Sequence, residues 1–199
     1  MKLSQKDVLD FLRSAYFGNY EDTYFAASYR AYRDFCRTIR SREFNDATNE
    51  IKGGIKDHVT SYLKSQIQEL RKMPSLEQAS FDAWHRNVCL GIIERFHLTP
   101  LFYGQAQKWL NMMFKYLCVL DESLWEDKCF NFLHVPFDNK IIDIAVNSGF
   151  IERPVIRWSR WREQEYNHFQ TNLRAAIHEN IGKNYPPLLW EFRNWKADE

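Results

Sequence analysis

Gly104-Gln105-Ala106-Gln107-Lys108-Trp109-Leu110-Asn111-Met112-Met113-Phe114-Lys115-Tyr116-Leu117 is apolar around most of a helical turn, yet two lysines are set into it. Gly104, Lys108, Asn111 and Lys115 stand at i, i+4, i+7 and i+11, so they share one stripe of that helix. A helix with so little polar surface belongs at the centre of its domain. Its stripe must then face a cleft, a buried polar network or solvent. An amine on such a helix is costly to bury and calls for a charged partner or a chemical task. The plainer alternative is that both lysines snorkel to water.

Helical periodicity extends outward from this segment in both directions. Upstream, it predicts helices over Asp7 to Phe17, ended by Gly18-Asn19, and over Thr23 to Ile39. A third spans Asn49 to Lys72 across Gly53-Gly54, and Ser75-Leu76-Glu77-Gln78 has the form of a capping box opening a fourth to Phe96. The lysine helix itself is expected from Leu101 to Leu120, after Thr99-Pro100. Downstream, Asp121 to Phe132 reads as irregular, Pro136 opens a helix that Gly149 closes, and Arg157 to Asn180 forms the last long helix. A short aromatic tail, Leu188 to Trp195, follows Pro186-Pro187. Only Phe150 to Ile156 hints at a strand. The expectation is an all-α protein, a single helical domain over 1–199, with lobes 1–98 and 99–199 about the lysine helix as the alternative division.

Composition narrows the function classes. The 45% hydrophobic content suffices for a core, and 7 glycines with 6 prolines disfavour a turn-rich β fold. A net charge of +1 gives no global attraction to polyanions, so such a site must come from local clustering. No apolar run approaches the roughly 20 residues that span a bilayer. Met1 to Asp7 carries no apolar signal segment, so a cytoplasmic location, reduced thiols at Cys36, Cys89, Cys118 and Cys129, and no membrane partner are expected. No histidine stands at ligand spacing to a cysteine pair; neither metal nor cofactor is expected.

A second segment, His134-Val135-Pro136-Phe137-Asp138-Asn139-Lys140-Ile141-Ile142-Asp143-Ile144-Ala145, bears on function. Asp138 lies 138 − 108 = 30 residues beyond Lys108, room enough for two helices to fold back on one another. The carboxylate is a candidate partner for the amine; following Pro136, it is equally a candidate N-cap. His134 reads as a structural histidine or as a group near Asp138. Two basic-aromatic clusters offer anion contacts. Arg30, Arg33, Arg37 and Arg40 share one helical face, and Arg157-Trp158-Ser159-Arg160-Trp161-Arg162 packs three arginines and two tryptophans into six residues.

The Lys108 helix, followed by Val135-Pro136-Phe137-Asp138 leading into a second helix, resembles the helix-hairpin-helix DNA glycosylases. It is nearest the archaeal 8-oxoguanine DNA glycosylase branch, over roughly residues 100–147. The resemblance implies Lys108 as a Schiff-base nucleophile and Asp138 as its paired carboxylate. It also implies double-stranded DNA as partner and excision of a damaged or modified base, with or without strand cleavage. Gly104, Gln105, Asn111, Lys115, His134, Arg157 and Arg160 are the candidate substrate contacts. Phe102-Tyr103-Gly104-Gln105-Ala106-Gln107 stands where the family carries its glycine-rich hairpin, and Lys115 is a rival nucleophile. The competing class is a non-enzymatic helical module that binds protein or nucleic acid through its arginine faces.

Overall fold

Short polar side chains start the first four helices by accepting otherwise unpaired backbone amides. Ser4 and Asp7 form a reciprocal capping box for α1 (Gln5–Phe17), which ends at Gly18 in the left-handed region, φ +82°. Asp22 caps α2 (Thr23–Cys36), Ser41 caps α3 (Arg42–Asp46) and Thr48 caps α4 (Asn49–Lys72). Then follow α5 (Gln78–Arg95), α6 (Tyr103–Leu120), two 3-10 turns (Glu122–Trp125 and Lys128–Phe132) and α7 (Asn139–Asn147). A third 3-10 turn (Trp158–Arg160), α8 (Glu163–Asn180) and α9 (Pro187–Asn194) complete the order. The computed structural model describes residues 2–18 and 21–196; Met1 of the expected leaderless start and Asn19 of the expected break lie outside them.

The protein is all-α: the described residues contain no strand, and Phe150 to Ile156 runs through bends. Several boundaries differ from expectation for local reasons. The second helix stops at Cys36 rather than Ile39, and a separate helix, α3, starts on its own Ser41 cap. Ser75 forms no capping box, because Glu77 is the cap residue of α5 and makes no side-chain cap bond. Asp138, not Pro136, begins α7. The long helix expected from Arg157 is two elements, broken where Trp161 and Arg162 turn extended.

Helix α6 is the axis of the molecule. Every residue along it is buried except Lys115 and Val119, and α2, α5 and α8 pack around it. Ala26, Ala27 and Ala31 let α2 approach closely, which seats Trp109 against Phe35 at 4.9 Å between ring centroids. Helix α1 is the opposite case. It buries no residue, and Leu9, Phe11 and Leu12 stay exposed on the face expected to be core. No described helix is long and apolar enough to cross a membrane.

Candidate active site

A cleft of about 1830 Å³ opens along the half of α6 that carries Lys108, Met112, Lys115 and Val119. Helix α1, the C-terminal end of α2, the start of α7, residues 157–160 and α9 all contribute to its lining. Lys108, Lys115, Asp138 and Gln105 all line it.

Lys108 and Asp138 meet there. Nζ of Lys108 donates to Oδ2 of Asp138 at 2.7 Å, with side chains 6% and 27% exposed. The other carboxylate oxygen, Oδ1, accepts the Ile141 amide at 2.9 Å and caps α7. The two roles open to Asp138 from its sequence position therefore both hold, one on each oxygen. Burial alone would push its carboxyl upward. The adjacent Lys108 ammonium, assisted by the Ile141 amide, outweighs that and holds the group below its ordinary value. Asp138 is a carboxylate at neutral pH.

Gly104 works behind this pair rather than on a ligand. Its amide donates to the Trp161 carbonyl at 3.0 Å, and a Cβ there would stand 1.8 Å from the Trp158 carbonyl oxygen. Only glycine allows the 158–160 turn to seat against α6. The amides at the start of α6 expected to hold a phosphate are thus partly taken: those of Gly104, Gln105 and Ala106 already donate to carbonyl oxygens. Seating the turn puts the Trp158 ring 5.9 Å from Lys108 Nζ, and Trp158 Nε1 donates to Asn139 Oδ1 at 2.9 Å.

Two turns further along the stripe, Lys115 Nζ lies 2.6 Å from Oε1 of Glu191 on α9. Sequence reasoning did not single out Glu191. The available signal was its i+3 spacing from Leu188, which puts it on the buried face of α9. The Glu191 side chain is 1% exposed, and burial raises its carboxyl above the ordinary value despite Lys115. The Trp195 ring lies 4.7 Å from Lys115 Nζ and 5.0 Å from Lys140 Nζ.

Asn111 and His134 sit elsewhere, in a buried polar network outside the cleft, so Asn111 does not share the cleft-facing stripe expected with Lys108 and Lys115. Asn111 Nδ2 donates to Gln107, the Val135 carbonyl and the Tyr166 hydroxyl, and its Oδ1 lies 2.8 Å from His85 Nε2. His134 bonds Tyr166 and, at 2.7 Å, Asp82, which Arg174 also grips. The His85 and His134 rings pack with centroids 4.4 Å apart. Neither Asn111 nor His134 lines the cleft. Gln105 does, but its amide is spent on Thr38 and on the Phe102 amide, tying α6 to the loop after α2.

The four-arginine face is split. Arg30 is tied to Asp34 and the Tyr16 hydroxyl, Arg33 lines a separate small recess, and Arg40 lies beyond the helix end. The cleft lining instead includes exposed Arg37, Arg40, Arg157 and Arg160 together with the Lys108–Asp138 pair, and Arg37 also pairs with Asp34 at 3.5 Å. No family model matches the chain, and comparison with curated proteins and with solved structures gives no match.

Proposed function

We propose that the protein is a lysine-dependent DNA glycosylase with lyase activity, in which Lys108 is the nucleophile and Asp138 its paired carboxylate. The observation that carries this reading is the 2.7 Å Lys108–Asp138 contact inside an open cleft flanked by unburied arginines. The pair faces a space large enough for an extruded nucleotide.

The residues suit each step. As the bond from C1′ to the base breaks, its electron pair leaves on the base and positive charge develops on the sugar. Asp138, held ionised, lies beside Lys108 to oppose that charge. Lys108 gives one proton to the departing base and attacks C1′ as the amine. The nitrogen's next proton passes to the ring oxygen as the sugar opens, leaving an iminium on Nζ. Trp158, close to Lys108 and anchored through Asn139, offers a ring face to an extruded base. Arg37, Arg40, Arg157 and Arg160, exposed in the cleft lining, supply phosphate contacts. Borohydride reduction on a duplex with a single abasic site tests the reading: covalent protein–DNA adduct is expected, and its absence removes the assignment.

A non-enzymatic protein-binding role has one specific observation in its favour, the exposed Leu9, Phe11 and Leu12 of α1. It leaves the Lys108–Asp138 geometry without a task.

A further inference from the structure

Two carboxamides on α6 reach the segment that carries Asp138. Gln107 is fully buried, and its Nε2 donates to the Phe137 carbonyl at 3.2 Å and to the Gly104 carbonyl at 2.9 Å. Because both carbonyls can only accept, the amide nitrogen of Gln107 must be the end that faces them. Its Oε1 accepts Asn111 Nδ2 at 2.9 Å, and Asn111 Nδ2 also donates to the Val135 carbonyl at 3.3 Å. The pairing runs in step along both stretches of chain: Asn111 with Val135, Gln107 with Phe137, Lys108 with Asp138. The Phe137 carbonyl belongs to the peptide unit that ends in the Asp138 nitrogen, and Gln107 directly precedes Lys108. Each member of the ion pair is thus the chain neighbour of a residue in the carboxamide bond. Packing alone does not set this register. Val135 and Phe137 are fully buried, but apolar burial is non-directional, whereas a hydrogen bond is limited in both distance and angle.

We infer that Gln107, braced by Asn111, is a positioning residue for the reaction: it fixes the Asp138 peptide against α6 and so holds the carboxylate at the Lys108 amine. This rests on the glycosylase reading. Neither carboxamide lines the cleft, so both act through Asp138. The iminium that forms on Lys108 Nζ is cationic, and the carboxylate lying 2.7 Å from that nitrogen opposes its charge. Loss of the bond to the Phe137 carbonyl frees the segment to shift, and a misplacement of about 1 Å costs a reacting group on the order of 100-fold. Asn111 is itself held from behind, with its Oδ1 2.8 Å from His85 Nε2 and its Nδ2 2.9 Å from the Tyr166 hydroxyl. The clamp is therefore anchored in the core, which keeps Asp138 in place before the substrate arrives.

The test is a double-mutant cycle on the full chain, with a duplex holding one abasic site as the probe. The single-turnover rate of borohydride-trapped adduct is measured for the unsubstituted protein, Gln107→Met, Asp138→Asn and the two changes together. Methionine keeps the approximate volume of glutamine and removes its hydrogen bonds. Gln107→Met should slow trapping at least about tenfold when Asp138 is present, and less than about twofold when Asp138→Asn is already in place. A purely structural glutamine would slow both backgrounds by the same factor. The acid limb of the trapping rate should also move. Burial raises the Asp138 carboxyl and the Lys108 ammonium brings it below its ordinary value, so slackening their contact shifts that limb to higher pH. Thermal unfolding follows each variant. Should Gln107→Met not fold, Gln107→Asn, whose carboxamide is set back by one methylene from the Phe137 carbonyl, takes its place in the cycle. Equal factors in the two backgrounds, or an unchanged rate in Gln107→Met, would overturn the positioning role. Trapping by the unsubstituted protein with equal factors rejects that role alone, whereas no trapping rejects the glycosylase reading beneath it.

Discussion

Lys108 and Asp138, 30 residues apart in the chain, are joined by a 2.7 Å hydrogen bond while the second Asp138 oxygen closes the first turn of α7. One carboxylate thus orients the start of a helix and faces an amine in the cleft. The cap bond to the Ile141 amide holds the carboxylate in place beside Lys108.

The two duties separate by substitution. Asp138→Asn keeps a good cap and removes the charge; Asp138→Ala removes both. Asp138→Asn should lower base excision by at least about 100-fold, the usual scale for removing a preorganised electrostatic group from an active site. Asp138→Ala should cost a further ~1 kcal/mol of stability relative to Asp138→Asn, the ordinary worth of an N-cap. Single-turnover excision and denaturant unfolding of both variants measure the two effects. Equal excision by wild type and Asp138→Asn would leave Asp138 as a cap alone.

The cleft arginines make a salt-dependent prediction. Replacing Arg37 and Arg40 by alanine should flatten the plot of log K against log salt by about 0.9 for each phosphate that is no longer neutralised, and replacing Arg157 and Arg160 should do likewise. Arg33 faces a different recess, so its replacement should leave the slope unchanged. An unaltered slope in both double variants would assign these arginines to solvation.

The all-α class and the central place of the lysine helix were legible in the sequence because α6 is apolar around its circumference, a pattern only a buried helix tolerates. The Lys108–Asp138 pairing was legible for a related reason, since a lysine on such a helix must find an anion. Other features depend on the packing of distant segments. Nothing local to Gly104 reveals that Trp158 lies against it. The arginine stripe failed because helix α2 ends at Cys36, short of the expected Ile39, which carries Arg40 off the face. Glu191 stands three residues after Leu188, which marks a buried face, but nothing in the short aromatic tail points to Lys115 as its partner. His134 and Asn111 have the residue types of a site, yet each is satisfied within the core.

The buried network predicts acid sensitivity. Burial, reinforced for His85 by the neighbouring His134, holds both imidazoles below their ordinary value in the folded protein. In the unfolded chain they titrate near about 6.5, so the unfolded state binds more protons as pH falls through that region. Stability should therefore decline on acidification below neutrality, by up to ~1.4 kcal/mol per pH unit for each imidazole. Asp82 and Asp138 have depressed folded values, so their contribution is present above about pH 4 and fades below it. Glu191 acts in the opposite sense: its raised value gives stability that fades as pH rises. Urea unfolding at intervals from about pH 8 to about pH 4 measures the balance. A flat profile between about pH 7 and pH 5 in a Glu191→Gln variant, where the opposing carboxyl is removed, would show that the two histidines are protonated equally in both states.

The most direct test of the central claim is to locate the covalent bond. The protein is incubated with a duplex holding one abasic site, reduced with borohydride, digested and sequenced by mass spectrometry. A deoxyribose-derived adduct is expected on Lys108 and none on Lys115, with all adduct abolished in Lys108→Gln while its circular dichroism is unchanged. An adduct on Lys115, or trapping by Lys108→Gln at the wild-type level, would contradict the assignment of Lys108 as nucleophile.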